Sequence, residues 1–494
     1  MPPQPKSVGD APSRPLGNLE GFFKMLADGG KLLNREHWTI HTALRLAFHP
    51  SVTDPAPLLR RSWEILWRQH PALGATITAA NGEGPRLTAA QDTHESANST
   101  FKICSEIADS SELFSSLCST PTATCYFIQR SSEVVIRSSH WRTDGLGMAI
   151  LCHDFMKALA SVIKASGDRH GSSEPPSLLH AESSLAPTLE QLARAQSRLD
   201  IPSESTKVPV LEAGADALVA QFLRGVPSIG LPTKAESADA VPGSSGRSVM
   251  RLGAKTTAEL AAACRDHRIK MTSAIHAAIV RVAASFPQHP LCKSYAAFVP
   301  VDLRRALEAT ATDETRNVSK VVGLYFSGLP VCVEQVVSEG DRASTIGFDT
   351  IARSLDATYS RDLVNFWESP DGQTVGLLDL AQPYLERTTQ LFGAPVPEGL
   401  PPVQTPDLSS LGKIDSFLQT EYGTADEGKA EVMDFWIGTE MLNRSVQFHT
   451  WSWKGEFVLG ACFNQSFYGK DFVDGVLNKV VHELQAGLNV VTSE

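Results

Sequence analysis

Strand-type and helix-type patterns are interleaved along the whole chain, on both sides of a polar break. That mixture points to α/β or α+β layers. Asp54-Pro55 can cap and open a helix, because proline at the first helical position sacrifices no hydrogen bond. Leu59, Trp63, Leu66 and Trp67 follow at helical spacing as far as His70-Pro71. Residues 74–80 are β-prone. Residues 125–129 and 133–138 read as a hairpin around a polar turn at 130–132. Residues 140–145 leave the second strand as a loop, and Leu146, Ile150, Leu151 and Phe155 then restore a helical period. Further on, 248–252, 295–300 and 321–333 read as strands, and 256–267 and 272–283 as helices. Residues 448–453 and 456–463 form a second hairpin, and 471–488 a closing amphipathic helix.

Pro, Ser and Gly dominate residues 1–17, which have no apolar segment of the signal-peptide kind and are expected to be an unstructured lead-in. A polar, linker-like stretch covers 165–206, where only 189–199 could form an exposed helix; a second runs over 235–246 and ends in Pro242-Gly243-Ser244-Ser245-Gly246. The reading is therefore an N-terminal domain over 18–240 and a C-terminal domain over 247–494. The formal net charge is −11 with no block of Lys or Arg, which disfavours nucleic acid and anionic membranes as partners. No apolar run is expected to approach the roughly 18–20 residues of a membrane-spanning helix. The eight cysteines include no C-x-x-C pair and are expected to be buried free thiols of a cytoplasmic protein.

The sharpest local feature is His140-Trp141-Arg142-Thr143-Asp144-Gly145, at a strand end where a loop faces a cleft. A neutral imidazole suits general-base work near neutral pH, and Asp-Gly four residues on can hold a turn that keeps the ring in place. Alone, the six residues read equally as a hairpin-end histidine beside an ordinary turn. Their surroundings add Arg68-Gln69-His70-Pro71-Ala72-Leu73, Pro300-Val301-Asp302-Leu303-Arg304, Ser409-Ser410-Leu411-Gly412 and Asp434-Phe435-Trp436-Ile437-Gly438. In this order the set resembles the superfamily of condensation domains, plant-type H-x-x-x-D acyltransferases and fungal O-acetyltransferases, over roughly residues 35–490. Asn34-Arg35-Glu36-His37-Trp38-Thr39 and the length are most similar to the fungal trichothecene 15-O-acetyltransferase group.

The resemblance implies two chloramphenicol-acetyltransferase-like domains forming a pseudo-dimer around a central channel. It implies His140 as the base that deprotonates an acceptor hydroxyl, and Asp144 turned away from substrate to pair with Arg304. The alternative for Arg304 is a solvated charge beside Arg305. Backbone N–H groups near Gly145, or the Ser409 and Ser410 hydroxyls, are the candidates for holding the oxyanion. Acetyl-CoA is implied as co-substrate and a hydroxylated apolar metabolite, such as a fungal terpenoid, as acceptor, on a monomer with no bound cofactor and no metal. Two departures stand out. Condensation domains usually carry a second histidine before the catalytic one, where this chain has Ser139, and plant-type enzymes carry D-F-G-W-G where it has Asp434–Gly438 in relaxed form. Two rival readings remain: a condensing enzyme fed by a carrier protein, and a non-catalytic binding protein on the same fold. His153-Asp154 and His276 read as packing or surface residues. His37 and His41 have a metal-capable helical spacing without supporting carboxylates. Gly145-Leu146-Gly147 reads as turn chemistry, and Trp451 and Trp453 as core that could also line an acceptor pocket.

Overall fold

The computed structural model describes residues 11–80, 84–90, 93–167, 185–197, 208–309, 320–337, 346–424 and 428–490. Two sheets organise it. The first has six strands in the order Glu421–Thr424, Gly428–Thr439, Ile40–Phe48, Glu133–Ser138, Thr124–Ile128 and Phe101–Cys104, antiparallel except for the last pair. The second runs Asp407–Lys413, Gln447–Trp453, Glu456–Asn464 and Ser245–Leu252, its first pair parallel.

Helices Pro55–Gln69 and Gly145–Gly167 pack together beside the first sheet, where Trp63, Trp67, Leu151 and Phe155 are fully enclosed. Asp54 caps the former through Ala56 N–H, as its sequence predicts. The second sheet is buried on both faces, and its alternation sorts side chains into two cores. Phe448, Phe457, Leu459 and Phe463 join the core under helices Ala254–His267, Met271–Ala284 and Lys470–Gly487. Trp451, Trp453, Val458 and Cys462 join the core of the first sheet. The two tryptophans therefore pack between the sheets and are not among the residues bordering the cavity of His140.

Several expectations are corrected. The strands Glu421–Thr424 and Gly428–Thr439 belong to the first sheet, although they come from the C-terminal half. Helices Leu189–Gln196 and Pro209–Leu223 pack on Ala381–Gly393, and the latter also on the hairpin Tyr295–Asp302/Phe326–Val333. Chain beyond the helix Gly145–Gly167 thus already packs on elements of the C-terminal half, and the polar stretch 235–246 runs into strand Ser245–Leu252, with Ser237 and Ser245 buried. Of the 165–206 stretch, 168–184 and 198–206 lie outside the described residues. Helix Leu189–Gln196 is not exposed: Leu189, Leu192 and Ala193 are buried. Within the lead-in, Ser13–Pro15 pairs with Gly84–Thr88, and Arg14 binds Glu20 at 2.5 Å and the Ala186 carbonyl at 2.7 Å. Residues 321–325 form no strand, because their backbone is engaged by the ion pair described below. All eight cysteines are free, but Cys118 is exposed and Cys104 and Cys332 are half-buried. Finally, Gly145–Ser166 is long and apolar enough to cross a membrane by length and composition, with 61% of its most apolar 18-residue window buried inside the protein.

Candidate active site

Strand Glu133–Ser138 is hydrogen-bonded on both sides, so its end is a rigid base for the loop that follows. The loop is tied down at each step. Arg142 N–H donates to the Ser139 carbonyl at 3.1 Å, and Asp144 N–H donates to the Gly323 carbonyl at 3.2 Å. Asp144 then caps the helix Gly145–Gly167, accepting from Gly147 N–H at 2.7 Å.

Arg304 meets the Asp144 carboxylate with both terminal nitrogens, at 2.9 and 3.1 Å. The same guanidinium reaches Asp302 at 3.0 Å and the carbonyls of Val321 and Gly323. Asp144 also accepts from Tyr325 N–H at 2.9 Å. Both charged side chains are almost wholly buried, at 3% and 6% exposure, so Arg304 is no solvated surface charge. Burial alone would depress the Arg304 pKa, but Asp144 and Asp302 outweigh it and raise the value. This fork clamps the motif loop to the segment leaving strand Tyr295–Asp302.

A second layer lies beneath. Ser139 donates to Glu36 at 2.7 Å and accepts from Arg142 at 2.8 Å, while Arg142 also reaches the carbonyls of Ala75 and Pro121 and covers the Trp141 ring at 3.7 Å. Burial lowers the Arg142 pKa to about 9. The position that holds a second histidine in condensation domains is therefore a buried structural serine here.

His140 rises from this base into a cavity of about 200 Å³. Its ring stacks on Phe23, with centroids 4.0 Å apart and planes at 12°, and Phe326 leans over it at 5.7 Å. Nδ1 is buried without a well-aligned partner, which leaves Nε2 as the nitrogen open to the cavity. Burial lowers the His140 pKa to about 4, with its own carbonyl and Asp144 pulling partly back. The ring is thus neutral at neutral pH, as a base must be.

One wall of the cavity is aromatic and aliphatic, with Leu19 and Phe22 from helix Asn18–Asp28 and Phe298, Leu385 and Phe392 from the other half. The opposite wall is the seam between the sheets, where Asp407, Ser409, Thr439, Gln447 and His449 face inward. Gly145 and Leu146 border the cavity at the helix start, where N–H groups have no intrahelical acceptor. Neither N–H donates to another backbone carbonyl among the described residues. Ser410 shares a hydrogen bond with Thr272 at 3.0 Å, whereas Ser409 has no side-chain partner among the described residues.

The remaining sequence candidates resolve simply. His153 binds Tyr422 at 2.8 Å and Asp154 binds His70 at 3.0 Å, both structural. His276 is a core residue held between Tyr295 and Tyr359 at 2.7 and 3.0 Å. His37 stacks on Trp38 outside any helix, His41 lies on strand Ile40–Phe48, and no metal-capable group occurs among the described residues. Asp434 pairs with Arg251, and Ile437 is the member of its motif that reaches the cavity. Sequence reading missed Phe23, Trp38, Phe326, Asp407, Thr439, Gln447 and His449. Only Gln447 and His449 had a usable signal: they alternate with buried apolar residues along one strand.

No family model matches the chain. The loline biosynthesis cluster 1 transcription factor lolU1 of Epichloe uncinata is 28% identical, over 95% of this chain and 93% of its own length. The O-acetyltransferase pigM of Monascus ruber is 26% identical, over 93% and 82%. Among solved structures, TRI3 trichothecene 15-O-acetyltransferase from Fusarium sporotrichioides superposes with a TM-score of 0.74 at 16% identity, covering 98% of this chain and 96% of its own. The first condensation domain of the calcium-dependent antibiotic synthetase does so at 0.61 and 12%, covering 97% of each. The fold is therefore the chloramphenicol-acetyltransferase-like pseudo-dimer of the condensation-type proteins.

Proposed function

We propose, for a chain that resembles the condensation-domain and H-x-x-x-D acyltransferases, that it is an O-acyltransferase of fungal secondary metabolism. It would move an acetyl group from acetyl-CoA to a hydroxyl of an apolar metabolite. The observation that carries this reading is the neutral His140 ring in an amphipathic cavity, on a loop locked by the Asp144–Arg304 fork.

In this mechanism Nε2 of His140 takes the proton of the acceptor hydroxyl as its oxygen attacks the thioester carbonyl. The oxyanion that forms is held by the free N–H groups of Gly145 and Leu146, with Ser409 as a further donor from the opposite wall. Collapse breaks the carbon–sulfur bond, and the imidazolium returns its proton to the departing thiolate. Asp144 takes no part in proton transfer, because its carboxylate is committed to Arg304, Gly147 and Tyr325. The relative named for a transcription factor does not redirect the reading: a net charge of −11 without a basic cluster is a poor electrostatic match for DNA.

Release of free thiol from acetyl-CoA, with and without hydroxylated terpenoids, tests the proposal. Acceptor-stimulated release should fall by about 10²–10⁴-fold in His140→Ala, the usual worth of a positioned base. If no acceptor gives His140-dependent release from acetyl-CoA, that donor is wrong, and carrier-bound acyl groups become the donors to try.

A further inference from the structure

Behind the reacting histidine, the polar wall of the cavity is more elaborate than deprotonation of one hydroxyl requires. Asp407 and Ser409 on strand Asp407–Lys413 lie in register with Gln447 and His449 on the neighbouring parallel strand. Residues two apart on a strand share a face, so all four converge on the cavity. Thr439 extends the strip from the first sheet, its hydroxyl donating to Gln447 Oε1 and lying 3.4 Å from His449 Nε2. With its amide oxygen occupied, Gln447 turns its N–H₂ toward Asp407.

Asp407 itself is not balanced. Its Oδ1 is enclosed without a well-aligned hydrogen-bond partner among the described residues, which leaves Oδ2 as the oxygen open to the cavity, and an enclosed acceptor left so is costly. Arg304 is the one Lys or Arg among the described residues bordering the cavity, and Asp144 and Asp302 hold it. The other titratable groups facing Asp407 carry no charge near neutrality. Burial puts Tyr295 on strand Tyr295–Asp302 well above 10, Cys462 on strand Glu456–Asn464 at about 12 and His449 at about 3. Burial raises Asp407 to about 7, with Gln447 and the backbone holding it down in part.

We propose that Asp407 is a specificity-determining residue: its carboxylate accepts a hydrogen bond from a second donor on the acceptor, a hydroxyl or an ammonium, apart from the hydroxyl that is acylated. This rests on the acyl-transfer reading above. The acceptor class is therefore narrowed to molecules with an apolar face, which meets Phe22, Phe298 and Phe392, and an opposite edge carrying at least two polar groups. The Thr439-to-Gln447 relay points its donors at Asp407, which keeps the carboxyl an acceptor and leaves its remaining capacity to the ligand.

The test compares cyclohexanol with the 1,3- and 1,4-cyclohexanediols and aminocyclohexanols, using acetyl-CoA and wild-type, Asp407→Asn and Asp407→Leu protein. Wild type should favour the matching two-donor acceptor in kcat/KM by ~10–100-fold, the usual worth of a hydrogen bond to a charged group. That ratio should fall to near one in Asp407→Leu. The KM of the preferred acceptor, and not that of cyclohexanol, should rise as pH falls below about 7, and this dependence should vanish in both variants. Loss of the preference in Asp407→Asn for the amino alcohols alone identifies an ammonium; partial retention with the diols identifies a hydroxyl. Calorimetric binding of the same compounds makes the comparison without turnover, so it stands even if acetyl-CoA proves to be the wrong donor. Equal treatment of one-donor and two-donor compounds by wild type, or an unchanged ratio in Asp407→Leu, overturns the proposal.

Discussion

Asp144 accepts four hydrogen bonds on one carboxylate, and each serves a different piece of structure: two anchor Arg304, one starts a helix and one fixes Tyr325. Because the pair is buried, removing one partner strands the other charge away from water, which costs about 3–5 kcal/mol. Asp144→Ala should therefore lose stability of that order in urea unfolding, and activity along with it. Asp144→Asn keeps the shape but has one accepting oxygen, so it can hold Gly147 or Tyr325 and not both, since these bond different carboxylate oxygens; it should lose less than Asp144→Ala. Equal stability of Asp144→Ala and wild type would refute the structural role. This residue was legible in the sequence only through its motif. Nothing in the spacing fixes Arg304, 160 positions away, as its partner; the family resemblance supplied that pairing.

At the scale of elements, the start of the motif helix depends on a glycine that the sequence marks only as turn chemistry. A Cβ on Gly145 would meet the tip of the Leu411 side chain at 3.3 Å, which must give by a few tenths of an ångström, whereas one on Gly147 would sit 2.1 Å from the Thr143 hydroxyl oxygen. Gly147→Ala should destabilise the protein by about 1–3 kcal/mol, as overpacking of a buried site does. Thr143→Ala in the same chain should recover most of that loss, since the nearest remaining contacts are 3.3 and 3.4 Å. Thermal melts of the single and double variants check this, and a double variant no better than the single would place the strain elsewhere. The legible elements were those with local punctuation. Helix Pro55–Gln69 has its cap, its proline and its 3.6 period, and hairpin strand Glu133–Ser138 has a polar turn before it. Strand Ile40–Phe48, the centre of the first sheet, escaped because residues 40–44 are all buried and alternation is confined to the short stretch 44–47. Residues 321–325 misled for the opposite reason: their composition suits a strand, but their backbone is spent on Arg304 and Asp144.

Across the whole molecule, chain order and spatial order part company. Strands from 421–439 complete a sheet begun near residue 40, and helices from 189–223 pack on the far half, so no polar stretch marks the true division. Composition cannot reveal such an exchange, because both cores draw on the same apolar residue types. The exchange has a consequence for acid stability. It buries His41 and His449 along the seam between the sheets and leaves His140 and His37 half-buried there, while His276 is fully buried under the second sheet. Burial lowers all five: His37, His276 and His449 to about 3, His140 to about 4, and His41 well below its usual value. In the unfolded chain these rings protonate near the ordinary 6.5, so between that pH and about 4 the unfolded state binds more protons than the folded one. Stability is then full above about 6.5 and is lost as pH falls, at up to about 1.4 kcal/mol per pH unit for each ring. Asp407, Asp302 and Glu440, whose values burial raises, act in the opposite sense and offset part of the loss. Five histidines against three acids leave a net uptake of protons on unfolding. The melting temperature should drop steadily from pH 7 to pH 5. In His276→Gln, which removes one ring remote from the cavity, the decline should be shallower by about one proton's worth. A melting temperature that is flat across this range would mean that the histidines are hydrated, and the enclosed seam between the sheets would have to be abandoned.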